Sequence, residues 1–297
     1  MSAVLPQGHG GMPWSVLRQA WARLDARWFQ IAFLASLLLF GALARDFAIT
    51  AEQVLLTLLS ALATQAAWMW GLRLPARRSA SGYLSALVST LGISILVRSE
   101  TAWAHPLLAC IAMSSKFMLR AGPASCRSHV LNPANAAAFI AWVGLPGCWL
   151  SPGQWGSSSL AALWFVALGG VVTGRIQRWD VSLALLGSWA TLLAARLVWL
   201  GPTPELGSAI WLQQMSNGAT LLFAFFMISD PMTTPQRRSA RLAYAMAVAL
   251  LAFVWQFVLF KPHGLIVTLF AASWAVPLIN RWWPQQRFDW VQVHPRL

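Results

Sequence analysis

Ten stretches of this sequence carry almost no charge, and the basic residues that remain cluster in alternate connections between them. The runs fall at roughly 28–44, 51–72, 83–97, 101–118, 133–145, 159–175, 180–200, 218–229, 241–260 and 264–281. Several are long enough to span a hydrocarbon core of about 30 Å as helices. Three of them, 83–97, 133–145 and 218–229, are too short to cross it straight, so they are core helices or halves of broken ones. A chain of 297 residues with 10% charged and 58% hydrophobic residues lacks the polar surface of a soluble domain, where about a quarter is charged. Hydropathy therefore predicts one all-α polytopic membrane domain over 28–281, flanked by segments 1–27 and 282–297.

The loop charges test that reading. With the N-terminus inside, the inner segments hold Arg18, Arg23, Arg27, Arg73, Arg77, Arg78, Lys116, Arg120, Arg127, Arg175, Arg178, Arg237, Arg238, Arg241, Arg281, Arg287 and Arg296. The outer segments hold Arg45, Arg98 and Lys261, and Arg196 falls within a span, which accounts for all 21 Lys and Arg. Positive residues favour the cytoplasmic side, so ten spans with both termini inside are expected, and one span more or fewer would scramble the alternation. The net charge of +13 is then a topology signal and not a nucleic-acid footprint. No apolar segment follows Met1 at signal-peptide distance, so a cleaved leader is not expected.

The flanks fit the same picture. Trp14, Leu17, Trp21, Leu24 and Trp28 recur at helical spacing with Arg18 and Arg23 between them, which predicts a helix lying on the inner leaflet in contact with lipid. Trp282, Trp283 and Trp290, with Arg281 and Arg287, form a matching interfacial anchor. Cys110, Cys126 and Cys148 are too dispersed for a metal site or a disulfide framework. No Gly-rich dinucleotide fingerprint, P-loop or H-E-x-x-H is present.

Ten spans divide into two fives, about 28–145 and 159–281, and an odd number per group makes the second repeat inverted. Ser81-Gly82-Tyr83-Leu84-Ser85-Ala86-Leu87 opens the short third span, and Ser216-Asn217-Gly218-Ala219-Thr220-Leu221-Leu222 opens the short eighth. Paired short or broken helices at matching places point to a midplane site, although small residues also serve close helix packing.

Two stretches carry a family resemblance. Lys116-Phe117-Met118-Leu119-Arg120 precedes His129-Val130-Leu131-Asn132-Pro133-Ala134-Asn135. Ser216-Asn217-Gly218-Ala219-Thr220 precedes Phe225-Phe226-Met227-Ile228-Ser229-Asp230-Pro231-Met232-Thr233-Thr234-Pro235. Together they resemble the RnfD/NqrB family, membrane components of the Rnf electron-transport complex and of the sodium-translocating NADH:quinone oxidoreductase, most strongly over about 80–280. The resemblance implies a bacterial inner-membrane electron-transfer protein, with partner redox subunits and possible coupling to Na⁺ or H⁺ movement. It also implies FMN joined through its phosphate to Thr220 by a flavin transferase on the outer side, and room for a second, non-covalent flavin. The loop 201–217 falls outside by the charge count, as that requires. Gly218 and Ala219 leave the backbone open, and a helix starting near Gly218 would offer free N–H groups to a phosphodiester. The sequence departs from the family motif at Asn217, where Ser or Thr is usual, with Ser216 one place earlier.

Other candidates keep two readings each. Thr220 either carries flavin or bonds its own helix backbone. Asp230 either lies on an ion route or ends a helix before Pro231. Arg196 either pairs with a flavin phosphate on that route or snorkels to the interface. Asn132 and Asn135 either bind an isoalloxazine edge or cap a helix, and His129 either caps the fifth span or lines a pocket. Two rivals to electron transfer stay open: a transporter or channel on the same fold, and an unflavinylated scaffold for a biosynthetic or metal-handling system.

Overall fold

Every apolar run coincides with a helix in the computed structural model, which describes residues 24–45, 47–74, 76–122, 127–151, 159–286, 288 and 290, without the side chains of 76–81 and 159. The expected surface helix at Trp14, Leu17 and Trp21, the tail beyond Trp290, and Cys126 lie outside the described residues. In the first half, α1 spans Ala26–Ala44, α2 Ala51–Gly71, α3 Ala76–Leu96, α4 Ala104–Met118 and α5 Pro133–Gly144. In the second, α6 spans Ser159–Arg175, α7 Trp179–Leu200, α8 Pro204–Met215 and α9 Gly218–Leu222, which runs on as a π-helical turn over Phe223–Met227. Helix α10, Arg238–Phe253, continues the same way over Val254–Val258, and α11 (Gly264–Ser273) and α12 (Val276–Trp282) follow.

Local chemistry sets these ends. Thr50 and Gln53 close a reciprocal capping box on α2, and Asn132 followed by Pro133 starts α5 with a side-chain cap and a residue that needs no N–H. Gly201, in the left-handed region at φ 63°, stops α7. Two small antiparallel pairs tie the ends of the first half: β1 (Val97–Ser99) with β4 (Cys148–Leu150), and β2 (Arg120–Ala121) with β3 (Ser128–His129).

The helices α1, α2, α7 and α10 with its π extension are long and apolar enough to cross a membrane. The α11–α12 pair, bent by 48°, makes a fifth candidate, and Gly82–Leu96, Leu160–Arg175 and Gly218–Met227 are shorter apolar helices. Trp199 is 88% exposed and Trp70 85%, with Leu43 and Val198 close behind, a surface that water would penalise and lipid would not. The chain is an all-α membrane protein.

Packing follows stripes of period four. Helix α2 buries Gln53, Thr57, Ala61, Gln65 and Met69, while α7 buries Val181, Leu185, Trp189 and Leu193. The most extensive contacts are α2 with α4, followed equally by α2 with α3 and α7 with α10. Helix α1 packs on α3 and α6 on α9, and α4 meets α5 as α10 meets α11. Two glycines permit close approach: a Cβ on Gly169 would lie 2.5 Å from the Phe225 ring, and one on Gly264 2.7 Å from the Ala252 carbonyl.

The structure differs from the sequence reading at three places. The stretch 201–217, expected as a loop, contains the helix α8, capped by Thr203 with Pro204 in its first turn. Helix α3 begins before residue 83, its first turns too polar to register as an apolar run. The run 264–281 breaks at Trp274 and Ala275, where Pro277 in the first turn of α12 supplies no N–H to continue the ladder.

Candidate functional site

Two cavities flank the middle of the bundle, and Leu96 and Met227 line both of them. One opens at the end that carries Thr220, the other at the end that carries Asp230.

The Thr220-end cavity has a volume of about 300 Å³ and is lined by Asn217, Thr220, Gln214, Gln256, His263 and Trp189, among others. Asn217 is the N-cap of α9, its Oδ1 accepting the Ala219 N–H at 2.8 Å. An Asn caps as well as the Ser or Thr of the family motif, so the departure keeps the local geometry. Asn217→Ala is expected to cost about 1 kcal/mol of stability and Asn217→Ser almost nothing, read by thermal unfolding in detergent. The Thr220 residue is 6% exposed, and among the described residues its hydroxyl has no hydrogen-bond partner. Thr57, Thr173 and Thr268, by contrast, bond back to the carbonyl four residues earlier. The backbone-bonding role open to Thr220 from sequence is therefore not the one it takes. Trp189, 1% exposed, has an indole N–H with no acceptor among the described residues. An aromatic wall, two Gln amides and an unused donor suit a planar heteroaromatic ring with carbonyl edges, so the residues fit a flavin. Ser216 turns away, its hydroxyl donating to Leu212 O at 2.7 Å, and Gly218 and Ala219 form the first turn beside the cavity.

The Asp230-end cavity is smaller, about 80 Å³. Asn132 lines it, caps α5 through Oδ1 to the Asn135 N–H (3.1 Å), and donates from Nδ2 to Asp230 Oδ2 at 3.3 Å. Asn132 is therefore a helix cap that also lines the cavity. His129 Nε2 lies 3.7 Å from the same Asp230 oxygen, which makes it a cavity residue and not a cap. Asp230 Oδ1 accepts the Met232 N–H at 3.0 Å, so the acid also closes the turn before α10. Burial pushes the Asp230 carboxyl up, but the hydrogen bond and charge of His129 and the Met232 amide outweigh it and hold it below the ordinary carboxylate value. Asn135 is spent elsewhere, donating to Ile266 O at 3.1 Å and tying α5 to α11.

Lys116 reaches the wall from α4, donating to Ser85 Oγ (2.9 Å) and Gln65 Oε1 (3.2 Å). Ser85, from the segment that opens the third span, completes that face with Ser89 and Arg27, two residues the sequence reading did not select for a site. Ser85 and Ser89 carried a signal in their spacing of four along the third apolar run. His263 carried another, standing before Gly264 as Asn132 stands before Pro133. Arg196 is not brought to Asp230. It sits over the Phe257 ring at 4.8 Å, about 25 Å along α7 from Trp179.

These features define the class, an all-α membrane protein whose helices enclose two cavities. The sequence model of the NQR2, RnfD, RnfE family matches residues 128–289, just over half of the chain, and the chain belongs to that family. The D subunit of the ion-translocating oxidoreductase complex of Escherichia coli O9:H4 (strain HS) is 32% identical over 145 residues, 49% of this chain and 35% of that one. The proteins of the same name from Escherichia coli (strain K12 / DH10B) and Shigella boydii serotype 18 match at the same identity and coverage. The chain thus matches about a third of the length of these relatives. The family match takes in His129, Asn132, Thr220 and Asp230, but not Lys116 to Arg120.

Proposed function

We propose that this chain is a flavin-carrying electron-transfer subunit of an Rnf- or Nqr-like redox system in the bacterial inner membrane. The observation that carries the reading is the unbonded Thr220 hydroxyl in the first turn of α9, beside a cavity of about 300 Å³ with an unused Trp189 N–H. Bound flavin would supply electron exchange in one- or two-electron steps. The chain's own residues would do the rest: Asn217 fixes the turn that presents Thr220, while Trp189 and the Gln214 and Gln256 amides orient the ring edge. A second, non-covalent flavin would use the Asp230-end cavity, where Asn132, His129, Ser85 and Arg27 converge. Partner redox subunits and a flavin transferase complete the system, and Asp230 is the group that would couple it to Na⁺ or H⁺.

Ten spans in two inverted repeats underlie this arrangement. What supports the repeat is the pairing of helices: α2–α4 with α7–α10, α1–α3 with α6–α9, and α4–α5 with α10–α11. The cavity linings support it too. Ser85, Val88 and Gly92 line one cavity where Thr220, Phe223 and Met227, at one constant offset, line the other. Asn132, Pro133 and Ala134 correspond in the same way to His263, Gly264 and Leu265. The charge bias then favours the Asp230 end inside and the Thr220 end outside.

The test is in-gel flavin fluorescence of the denatured protein after co-expression with a flavin transferase. A fluorescent band is expected, and Thr220→Ala should abolish it. A dark band in both would remove the covalent site. A transporter is the second reading, favoured by the two cavities meeting at Leu96 and Met227, and it would purify without flavin.

A further inference from the structure

The Asp230-end cavity is too small for a planar three-ring ligand as it stands, and the reason is visible at its mouth. Trp290 lines the cavity with its ring centroid 4.5 Å from the Arg27 guanidinium carbon. Arg27 is only 4% exposed and is held along its edge by Asp25, whose Oδ1 accepts from Arg27 Nε at 3.0 Å. The guanidinium is therefore fixed in orientation, and an indole lies over it. Two further contacts hold this part of the chain: the Phe288 N–H donates to Gln236 Oε1 at 3.2 Å, and the Phe288 and Trp290 rings meet edge-on at 4.9 Å.

Undocking costs unusually little in unsatisfied groups. Gln236 Oε1 also accepts from Arg178 Nη2 at 2.7 Å, so losing Phe288 strands no buried acceptor. Arg27 keeps Asp25 when the indole leaves. What is exposed is a flat cation face above a floor of Asn132, His129 and Ser85, groups that donate and accept at the edge of a ring.

We propose that Phe288 and Trp290 form a displaceable cover on this cavity, Trp290 holding on Arg27 the place that a planar aromatic ligand takes. The ligand's identity as a flavin rests on the function proposed above; the cover does not.

A reporter cysteine tests it. Ser89 is 4% exposed and lines the cavity, so Ser89→Cys, in full-length protein with Cys110, Cys126 and Cys148 changed to Ser, reads access by its labelling rate with N-ethylmaleimide in membranes. Trp290→Ala is expected to speed labelling about tenfold or more by removing the cation–π contact, with Trp290→Phe intermediate. Arg27→Lys, which keeps the charge but loses the flat face, should also speed it, and Trp283→Ala, an exposed Trp outside the cavity, should not. Equal rates in Trp290→Ala and the parent, with unchanged size-exclusion profiles, overturn the cover. Lumiflavin should protect Ser89→Cys at lower concentration in Trp290→Ala than in the parent. Fast labelling that lumiflavin never slows would overturn the flavin ligand and leave the cover standing, whatever the gel shows for Thr220.

Discussion

Asp180→Ala is expected to destabilise the protein by about 3–5 kcal/mol, the range for removing one partner of a buried ion pair. Asp180 is 5% exposed at the start of α7, and its Oδ2 takes Arg241 Nη2 at 2.6 Å and Nε at 2.9 Å. Arg241 in turn donates to Gln236 O, and Arg178 to Gln236 Oε1 and Pro235 O, so one carboxylate anchors the turn that carries Asp230. Burial lowers the Arg178 guanidinium to about 10, still fully charged at neutral pH, so Arg178 cannot escape the loss by deprotonating. The peripheral pair behaves differently. Arg238 lies 3.4 Å from Asp180 but its side chain is 67% exposed, and Arg238→Ala should cost under about 0.5 kcal/mol. SDS titration of the purified variants in mixed micelles measures both. Asp180→Leu combined with Arg241→Leu should recover most of the loss, because the penalty comes from the stranded charge.

The helices were legible wherever a run of apolar residues was long or was opened by a cap. Asn132-Pro133 and Asn217-Gly218 announced α5 and α9 to the residue. Helix α8 announced itself equally well through Thr203-Pro204-Glu205, but hydropathy was the wrong instrument for it, since Gln213, Gln214 and Glu205 dilute its apolar content. The π turns after α9 and α10 left no trace in the sequence, because an extra residue per turn depends on which side chains the neighbouring helices admit. At Phe223–Met227 that neighbour is Gly169, whose missing Cβ makes room for Phe225.

The site divides in the same way. Thr220, Asn132 and Asp230 stand at helix ends, where residue type and position already restrict the role, and the family resemblance pointed to the same places. Trp189 and Gln256 come to the Thr220 cavity from two other segments, and no local pattern distinguishes them from other membrane-helix residues. Arg196 attracted a role because an intramembrane charge is rare, yet its π contact with Phe257 satisfies it locally. A lone charge read from sequence carries no information about which other charge it will meet.

Asp230→Ala is the second large effect, at about 3 kcal/mol, and pairing it with Asp230→Asn separates the two roles of this acid. Alanine removes the acceptor of the Met232 N–H together with the carboxylate beside His129 and Asn132. Asparagine keeps an acceptor for Met232 and loses only the charge, so about 1–2 kcal/mol is expected for it. The pH dependence follows from the sign of the shift. Because the folded carboxyl lies below its ordinary value of 3.8, its contribution is complete at pH above that value and is lost as pH falls through the folded pKa. Thermal unfolding between pH 3 and 6 should therefore show an acid-side loss in the parent that is reduced in both variants. An acid that only ended a helix would be replaced by asparagine at almost no cost and with no change in that profile. An acid that neutralises a cavity bordered by His129, Arg27 and, through Ser85, Lys116 would not be, and the asparagine variant would unfold earlier across the whole neutral range.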